Sequence, residues 1–415
     1  MKSIASRNFR NNLLNTPSLR HFSQSLSLEE KLKQEKLESP EVIRMKSLEL
    51  ANLIEKSKHF ICFTGAGIST SVGIPDYRST SNTIISTGAG EYEKPEEQRL
   101  RERHGIRRKV QSAIPSYTHM ALFALQQKGL LKYIVSQNTD GLHLKSGIPF
   151  PILTEMHGNV NLEHCLKCER NYLRDYRART AEKYDEHRTG RRCDEPTCGG
   201  ELVDQIIHFG EKIPQGKVVA ALEQASKADL CLCLGSSLRV KPANQVPIFT
   251  AKGGGNVAIV NLQYTPLDEI SSLRIHSLCD EVMKHVCETL MVEVPQFELK
   301  RRFHIGIKPG TQHFEIFGSS KGQRHSFITR LEVFDQLHHR YLNFDKEPFD
   351  LMREVIESDS VTDSNLEFRI HFQGHYCEPY FSLEVPRSSI LELQGQEQLI
   401  CDMTFDFEKM DWISE

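Results

Sequence analysis

A chain of 415 residues, 39% hydrophobic and 26% charged, is long enough for two or three domains with a well-buried core. A formal net charge of -3 and a pI near 6.7 give no global signal for nucleic-acid binding. No apolar run approaches the roughly 20 residues needed to span a bilayer, so no membrane span is expected.

Residues 1–28 carry Lys2, Arg7, Arg10 and Arg20 and no acidic residue before Glu29. Two readings stand, a mitochondrial transit peptide and a weakly basic disordered tail; Pro17 and the Asn11-Asn12 pair weaken the helix a presequence needs. Leu28–Lys58 is charged, with an apolar stripe through Ile43, Leu50 and Ile54, and is expected to pack as a helix beside a first strand.

Four short, nearly all-apolar runs follow. They are His59–Thr64 leading into Gly65-Ala66-Gly67, Lys132–Ser136 into Gln137-Asn138, Leu230–Leu234 into Gly235-Ser236-Ser237, and Val257–Val260 into Asn261. Such runs suit parallel strands covered on both faces. In a doubly wound sheet, ligands sit outside the carboxyl ends of the strands, so four small, polar tips along one edge make a nucleotide site by architecture. Cys62, Cys231 and Cys233 lie inside these runs as small apolar fillers, which argues against a disulfide framework and for a reducing compartment.

Between the runs, Ser79–Gly90 is rich in Ser, Thr and Gly and is expected to be a mobile loop. Arg99–Lys109 is strongly basic, either a solvated helix face or a phosphate or nuclear-import contact. Pro115–Gln127, Ala220–Lys227 and Cys279–Val292 show helical periodicity. Beyond residue 300, segments such as Leu366–Phe372, Tyr380–Val385 and Leu399–Phe407 alternate apolar and polar residues, the mark of antiparallel strands with one packed face.

Gly65-Ala66-Gly67 follows a strand and is expected to open a helix; it suits close approach to a phosphate or simply a tight turn. It lacks the full dinucleotide fingerprint, since Thr70 stands where the third glycine would fall. Cys165-x2-Cys168 and Cys193-x4-Cys198 are spaced as a tetrahedral structural zinc site, and four sulfur ligands leave no open position for a catalytic water. The expected fold class is therefore α/β. A Rossmann-like parallel sheet domain spans 29–295, with a small zinc-binding insert at about 160–205, and a C-terminal all-β, sandwich-like domain spans 300–415.

His157, in Glu155-Met156-His157-Gly158-Asn159, is on local grounds as easily structural as catalytic. The ordered series Thr64–Thr70, Gly73–Arg78, Gln137–His143, His157-Gly158-Asn159, the two Cys pairs, Phe209-Gly210-Glu211, Gly235–Leu238 and Val260-Asn261 changes that. Over roughly residues 45–292 it resembles the sirtuin family of NAD-dependent protein deacylases. Ile206–Glu211, Asn261-Leu262-Gln263 and Cys279–Met283 look most like its nuclear class IV branch.

The resemblance implies roles. Ala66, Gly67, Ser69 and Thr70 would cradle the NAD pyrophosphate, with Asp76, Tyr77 and Arg78 closing over the nicotinamide end. Gln137, Asn138 and Asp140 would hold the nicotinamide ribose and carboxamide, and His157 would be the general base. Gly235, Ser236, Ser237, Asn261, Gln263 and Cys279 would line the adenosine side. Phe209, Gly210 and Glu211 would border the acyl-lysine channel, where the substrate peptide adds as a strand.

The implied partners are acyl-lysine proteins, histones among them; the implied compartment is the nucleus by branch, or the mitochondrion by the N-terminal segment. Protein mono-ADP-ribosyl transfer and a non-catalytic NAD-sensing scaffold are the alternatives. One departure stands out: after Arg78 the family carries Gly-Pro and then Gly-x-Trp, whereas here Ser79-Thr80-Ser81-Asn82 follows and the single tryptophan is Trp412. No counterpart is recognisable for the Tyr and Arg pair that reads acidic acyl groups in desuccinylating members, so uncharged acyl groups are expected.

Overall fold

The computed structural model describes residues 33–195, 197–308, 310–320, 323–347, 349–356, 364–395 and 397–414. The two readings of residues 1–28 lie outside the described residues. Among the described residues the first full helix is α1 (Pro40–Lys56), and the helix expected over Leu28–Lys58 does not run continuously through residues 34–39. Pro40 sets φ for a first helical turn, and it biases Ser39 toward extended backbone (φ -67°, ψ 153°), from which the Ser39 side chain caps the Val42 amide. Residues 34–38 instead run as an extended arm, with Glu35 bridged to Gln263.

Three strands come next, β1 (Phe60–Thr64), β2 (Leu131–Ser136) and β3 (Leu153–Glu155). They are separated by helices α2 (Glu96–Ser112), α3 (Tyr117–Gln127) and the short α4 (Leu142–Ser146). An antiparallel insert of β4 (Leu162–Cys165), β5 (Asn171–Arg174), β6 (Arg188–Arg192) and β7 (Glu201–Asp204) interrupts the alternation. The chain then returns through α5 (Gln215–Lys227), β8 (Leu230–Leu234), α6 (Gln245–Lys252), β9 (Asn256–Val260), β10 (Leu273–Ile275) and α7 (Cys279–Thr289).

The resulting parallel sheet has the order β10-β9-β8-β1-β2-β3. Chain direction along the sheet reverses at β1, which pairs with β2 on one side and β8 on the other. That is the topological switch point, where a doubly wound sheet opens a crevice for a ligand. Each face has its own core. α1, α3 and α7 bury Ile43, Leu50, Leu122 and Val286 against one, and α5 and α6 bury Ala221, Ala225 and Val246 against the other. The three strand cysteines are fully buried free thiols, as their apolar setting suggests.

The C-terminal strands make two sheets around a shared core of Phe303, Phe327, Phe349 and Phe368. β11 (Leu299–Ile307), β12 (Phe314–Ser320) and β13 (Gln323–Ser326) belong to the first. β14 (Arg330–Asp335) and β15 (Arg340–Phe344) begin the second, with β16 (Phe349–Leu351) pairing back onto β12. β17 (Asn365–His371) and β18 (Phe381–Pro386) complete it in the order β15-β14-β17-β18, while β19 (Gln398–Asp406) and β20 (Asp411–Ser414) join β11.

This sandwich is not a free-standing appendage. β13 pairs in parallel with β5 of the insert, through His325↔Leu173 and Ser326↔Arg174, so one sheet of ten strands runs through both units. Buried polar contacts reinforce the seam: Arg301 meets Asp175 at 2.8 Å, and Lys145 of α4 donates to the Tyr376 hydroxyl at 2.7 Å.

Behind the tip of β1 two buried imidazoles lie 4.9 Å apart. His119 accepts from the Ser116 amide, and His143 Nε2 meets Thr64 Oγ1 at 2.8 Å. Burial pushes both down to about 3, His119 adding to the effect at His143. The unfolded chain takes up protons below about pH 6.5 that the folded chain refuses. Stability is therefore full above pH 6.5 and falls as pH drops toward 3. The urea midpoint should be lower at pH 5 than at pH 7, and less so in His119→Gln; equal midpoints at the two pH values would refute this.

Candidate active site

The tips of β1 and β8 meet closely. A Cβ on Gly65 would lie 2.7 Å from the Gly235 carbonyl, and one on Gly67 would lie 2.7 Å from the Gly235 Cα. Gly235 itself has φ +60°, a left-handed conformation that glycine adopts without strain. These glycines are thus needed by the switch point itself as well as by any phosphate. The turn does not open the α-helix expected of it. Two 3-10 turns follow, Ala66–Ile68 and Thr70–Val72, and end at Gly73 with φ +86°.

A cavity of 560 Å³ lies over the strand tips. Ala66, Gly67 and Thr70 line it from β1, Gln137 and Asn138 from β2, and Gly235, Ser236 and Ser237 from β8. Asn261 and Gln263 follow from β9, with Cys279 at the start of α7. Asp76, Tyr77 and Arg78, then His157, and finally Phe209, Gly210 and Glu211 complete the expected set. Ser69 and Asp140 stand apart: Ser69 donates to the Asp140 carboxylate at 2.7 Å, and both line an adjoining cavity. With strands about 4.8 Å apart, the order β9-β8-β1-β2-β3 sets Asn261 and His157 about 19 Å from each other. The donor set, backbone tips with Ser, Thr, Asn and Gln side chains over that length, fits an extended dinucleotide.

His157 Nδ1 lies 2.9 Å from the Gln137 carbonyl, so Nδ1 carries the proton and donates. Nε2 is left as the basic nitrogen. Burial pulls the imidazole below its ordinary pKa; the Gln137 carbonyl opposes this and Lys217 adds to it, which keeps the ring neutral at physiological pH. Asn138 is buried, its side chain donating to the Gly65 carbonyl at 3.1 Å and its amide to Ser136 Oγ at 3.1 Å. Asp140 also accepts from the Leu142 amide at 3.0 Å, which starts α4.

Gly158 is irreplaceable for a plain steric reason: at φ +82° a Cβ would sit 1.6 Å from the Gln205 carbonyl oxygen. Gly158→Ala should cost about 2–4 kcal/mol of stability and displace His157. Chemical denaturation checks this, and a wild-type midpoint would refute it.

The loop after Arg78, expected to be mobile, is tied at its base. Ser79 is buried and donates through Oγ to Asp76 at 2.7 Å; Gly90, Glu91 and Tyr92 amides bond back to the carbonyls of Ser79, Asp76 and Tyr77. Glu35 of the N-terminal arm accepts from Thr83 Oγ1 and the Ile84 amide. Tyr92 links this loop to the substrate side: its ring lies 5.3 Å from Tyr77 and 5.9 Å from Phe209, with the Arg78 guanidinium 5.2 Å away. Glu35 and Tyr92 are cavity residues that sequence reasoning missed. Tyr92 could have been found, as the one aromatic between Ser79 and Lys94.

The four cysteines gather in the insert, away from the cavity. Their sulfurs all lie within 4.8 Å of one another, with Cys165–Cys198 at 3.7 Å and Cys168–Cys193 at 3.6 Å. Four sulfurs about 2.3 Å from one tetrahedral zinc would be about 3.8 Å apart, so the group fits that ion. Tyr172 OH meets Cys193 Sγ at 3.0 Å, and Gly200 leaves room for Cys165 Sγ, which a Cβ would approach to 2.7 Å.

A doubly wound sheet with a dinucleotide-sized cavity at its switch point, a neutral histidine on its floor and a four-thiolate module beside it defines a nucleotide-dependent enzyme class. The chain belongs to the Sir2 family, whose model, described as "Sir2 family", matches residues 65–242. It is 36% identical over 348 residues to NAD-dependent protein deacetylase SRT1 of Arabidopsis thaliana, covering 81% of this chain and 69% of that one. It is 37% identical to NAD-dependent protein deacetylase sirtuin-7 of Bos taurus, over 64% of each chain. It is 35% identical to the NAD-dependent protein deacetylase of Thermotoga maritima, over 59% of this chain and 98% of that one. A match covering 81% of this chain cannot be housed within residues 1–295, so likeness to the Arabidopsis protein continues into the C-terminal strands.

Proposed function

We propose that this chain removes acyl groups from protein lysines at the cost of NAD, with residues 29–295 as the catalytic unit and histones among its substrates. The observation that carries the reading is His157: half-buried, neutral and bonded through Nδ1 to Gln137, it offers Nε2 to a cavity of dinucleotide length. When bound, NAD supplies an electrophilic ribose carbon, releases nicotinamide and takes up the acyl group as acyl-ADP-ribose.

The protein's part is positioning and proton transfer. The glycine turns let backbone close on the pyrophosphate, and Asn138 and Asp140 fix the nicotinamide end beside His157. His157 Nε2 accepts a ribose hydroxyl proton, for which an imidazole held neutral at physiological pH is suited. Phe209 and Gly210, on a loop that Glu211 anchors through the His208 amide at 2.6 Å, border the lysine channel. Zinc, held by four thiolates, would take no part in the chemistry. By the branch it resembles, we place the enzyme in the nucleus.

The test is mass spectrometry of purified protein with NAD and acyl-lysine peptides. Nicotinamide release matched by acyl-ADP-ribose is expected. Nicotinamide release with ADP-ribose gained by protein would replace deacylation by ADP-ribosyl transfer, and no turnover with NAD bound would leave the sensing scaffold.

A further inference from the structure

The basic stretch Arg99–Lys109 does not simply face solvent. On α2, Arg99, Arg103 and Arg107 recur every fourth residue, hence on one face, and all three line a second cavity of 480 Å³. Arg177, just beyond β5 of the zinc module, completes that wall from a different element. No ion pair or hydrogen bond engages any of the four guanidiniums among the described residues, and Arg99 Nε is buried without a partner. The cavity's acids do not neutralise them: Glu91 is paired with Lys94 at 2.8 Å, Asp140 is held by Ser69 and Leu142, and among the described residues no ion pair involves Glu96. Asp204, near Arg177, is engaged by Arg179 at 3.0 Å.

Several guanidiniums brought together without an acid paired to any of them repel one another, and burial deepens the cost. Arg107 and Arg177 show it: burial first, then neighbouring arginines, pull both below the ordinary arginine pKa, Arg177 to about 10. Guanidiniums are also the side chains best shaped for carboxylate and phosphate oxygens. This cavity shares Ala66, Tyr77, Asn138 and Thr139 with the dinucleotide cavity, so it opens beside the reacting centre.

We propose that the cavity between α2 and the zinc module binds an anionic group, a carboxylate or phosphate, in the grip of Arg99, Arg103, Arg107 and Arg177. Its place beside the nicotinamide end rests on the functional reading above; its chemistry rests on the arginines alone. The anion has two sources: the far carboxylate of a dicarboxylic acyl group reaching past the reacting centre, or a free phosphate-type ion. The first would reverse the expectation of uncharged acyl groups.

The full chain and its Arg103→Gln/Arg107→Gln variant, two side chains at the cavity rim, separate the sources. Calorimetry with pyrophosphate at constant ionic strength is one arm, and kcat/KM for glutaryl-lysine against acetyl-lysine peptides is the other. Support is a tenfold or greater weakening of pyrophosphate binding in the variant (a free anion), or a tenfold fall in the glutaryl-to-acetyl ratio with acetyl turnover unchanged (a substrate carboxylate). The proposal is overturned if the variant matches wild type in both arms while acetyl-lysine is turned over. It is equally overturned if no peptide reacts and pyrophosphate binds both proteins alike or neither. Loss of pyrophosphate binding without any peptide turnover would sustain the anion site and sink the deacylase reading instead.

Discussion

His157→Ala is expected to lower deacylation by a hundredfold or more, the usual scale for removing a general base, while the protein stays folded and still binds NAD. The fold should survive because, among the described residues, the ring's hydrogen bond to protein is to the Gln137 carbonyl, at the edge of the cavity. That carbonyl can be bonded by water once the ring is gone. The same geometry predicts the pH dependence. Burial holds the imidazole below its ordinary pKa of about 6.5, so the base is already deprotonated at pH 7. As pH falls through that depressed pKa the ring takes a proton and kcat/KM drops. The acidic limb of the profile should therefore lie below pH 6.5 and vanish in the variant. A limb centred above pH 7, or a variant within threefold of wild type, would remove His157 from the chemistry.

Much of this site was legible because its residues sit at strand tips, and strand tips are easy to read. A five-residue run such as Leu230–Leu234 is apolar at every position because both faces of a parallel strand are covered, and its end is marked by Gly235-Ser236. The order of tips along the sheet then follows from topology. Contacts between segments distant in sequence were not legible. Glu35 reaches the loop after Arg78 from an arm that its own composition suggested was helical, and only Pro40 hinted at the break. The edge strands β3 and β10 have three residues each, too short for any periodicity. β11 was missed because Arg301, Arg302 and His304 obscure its alternation, although Arg301 is buried by its pairing with Asp175. The arginines of α2 show the same limit: their spacing is visible in the sequence, but Arg177, which makes the fourth wall, arrives through the tertiary fold.

Removing the metal from the thiolate cluster, by chelation or by Cys198→Ala, is expected to unfold more than the cluster. The insert has little core of its own: its hydrophobic cluster consists of Cys165, Tyr172, Cys193 and Leu202, and two of those would be zinc ligands. Structural zinc contributes about 10–16 kcal/mol of folding free energy in modules of this kind, far more than so small a core supplies. Loss of the ion should therefore release β4–β7. Because β13 pairs with β5, and Arg174 of β5 donates to Ser326 and Glu163, the edge of the C-terminal sheet would lose its neighbour at the same moment. Hydrogen exchange should then show protection lost across residues 162–204 and at 323–326. The parallel sheet around β1 and β8, whose cores lie elsewhere, should keep its protection. Activity should fall as well, since Gly158 packs against Gln205, just past β7, and that contact helps place His157. Measured zinc near one ion per chain in the wild type and near zero in Cys198→Ala would accompany these changes. If the metal-free protein kept full protection and full turnover, the cluster would be dispensable and the ten-stranded sheet would stand on its own hydrogen bonds.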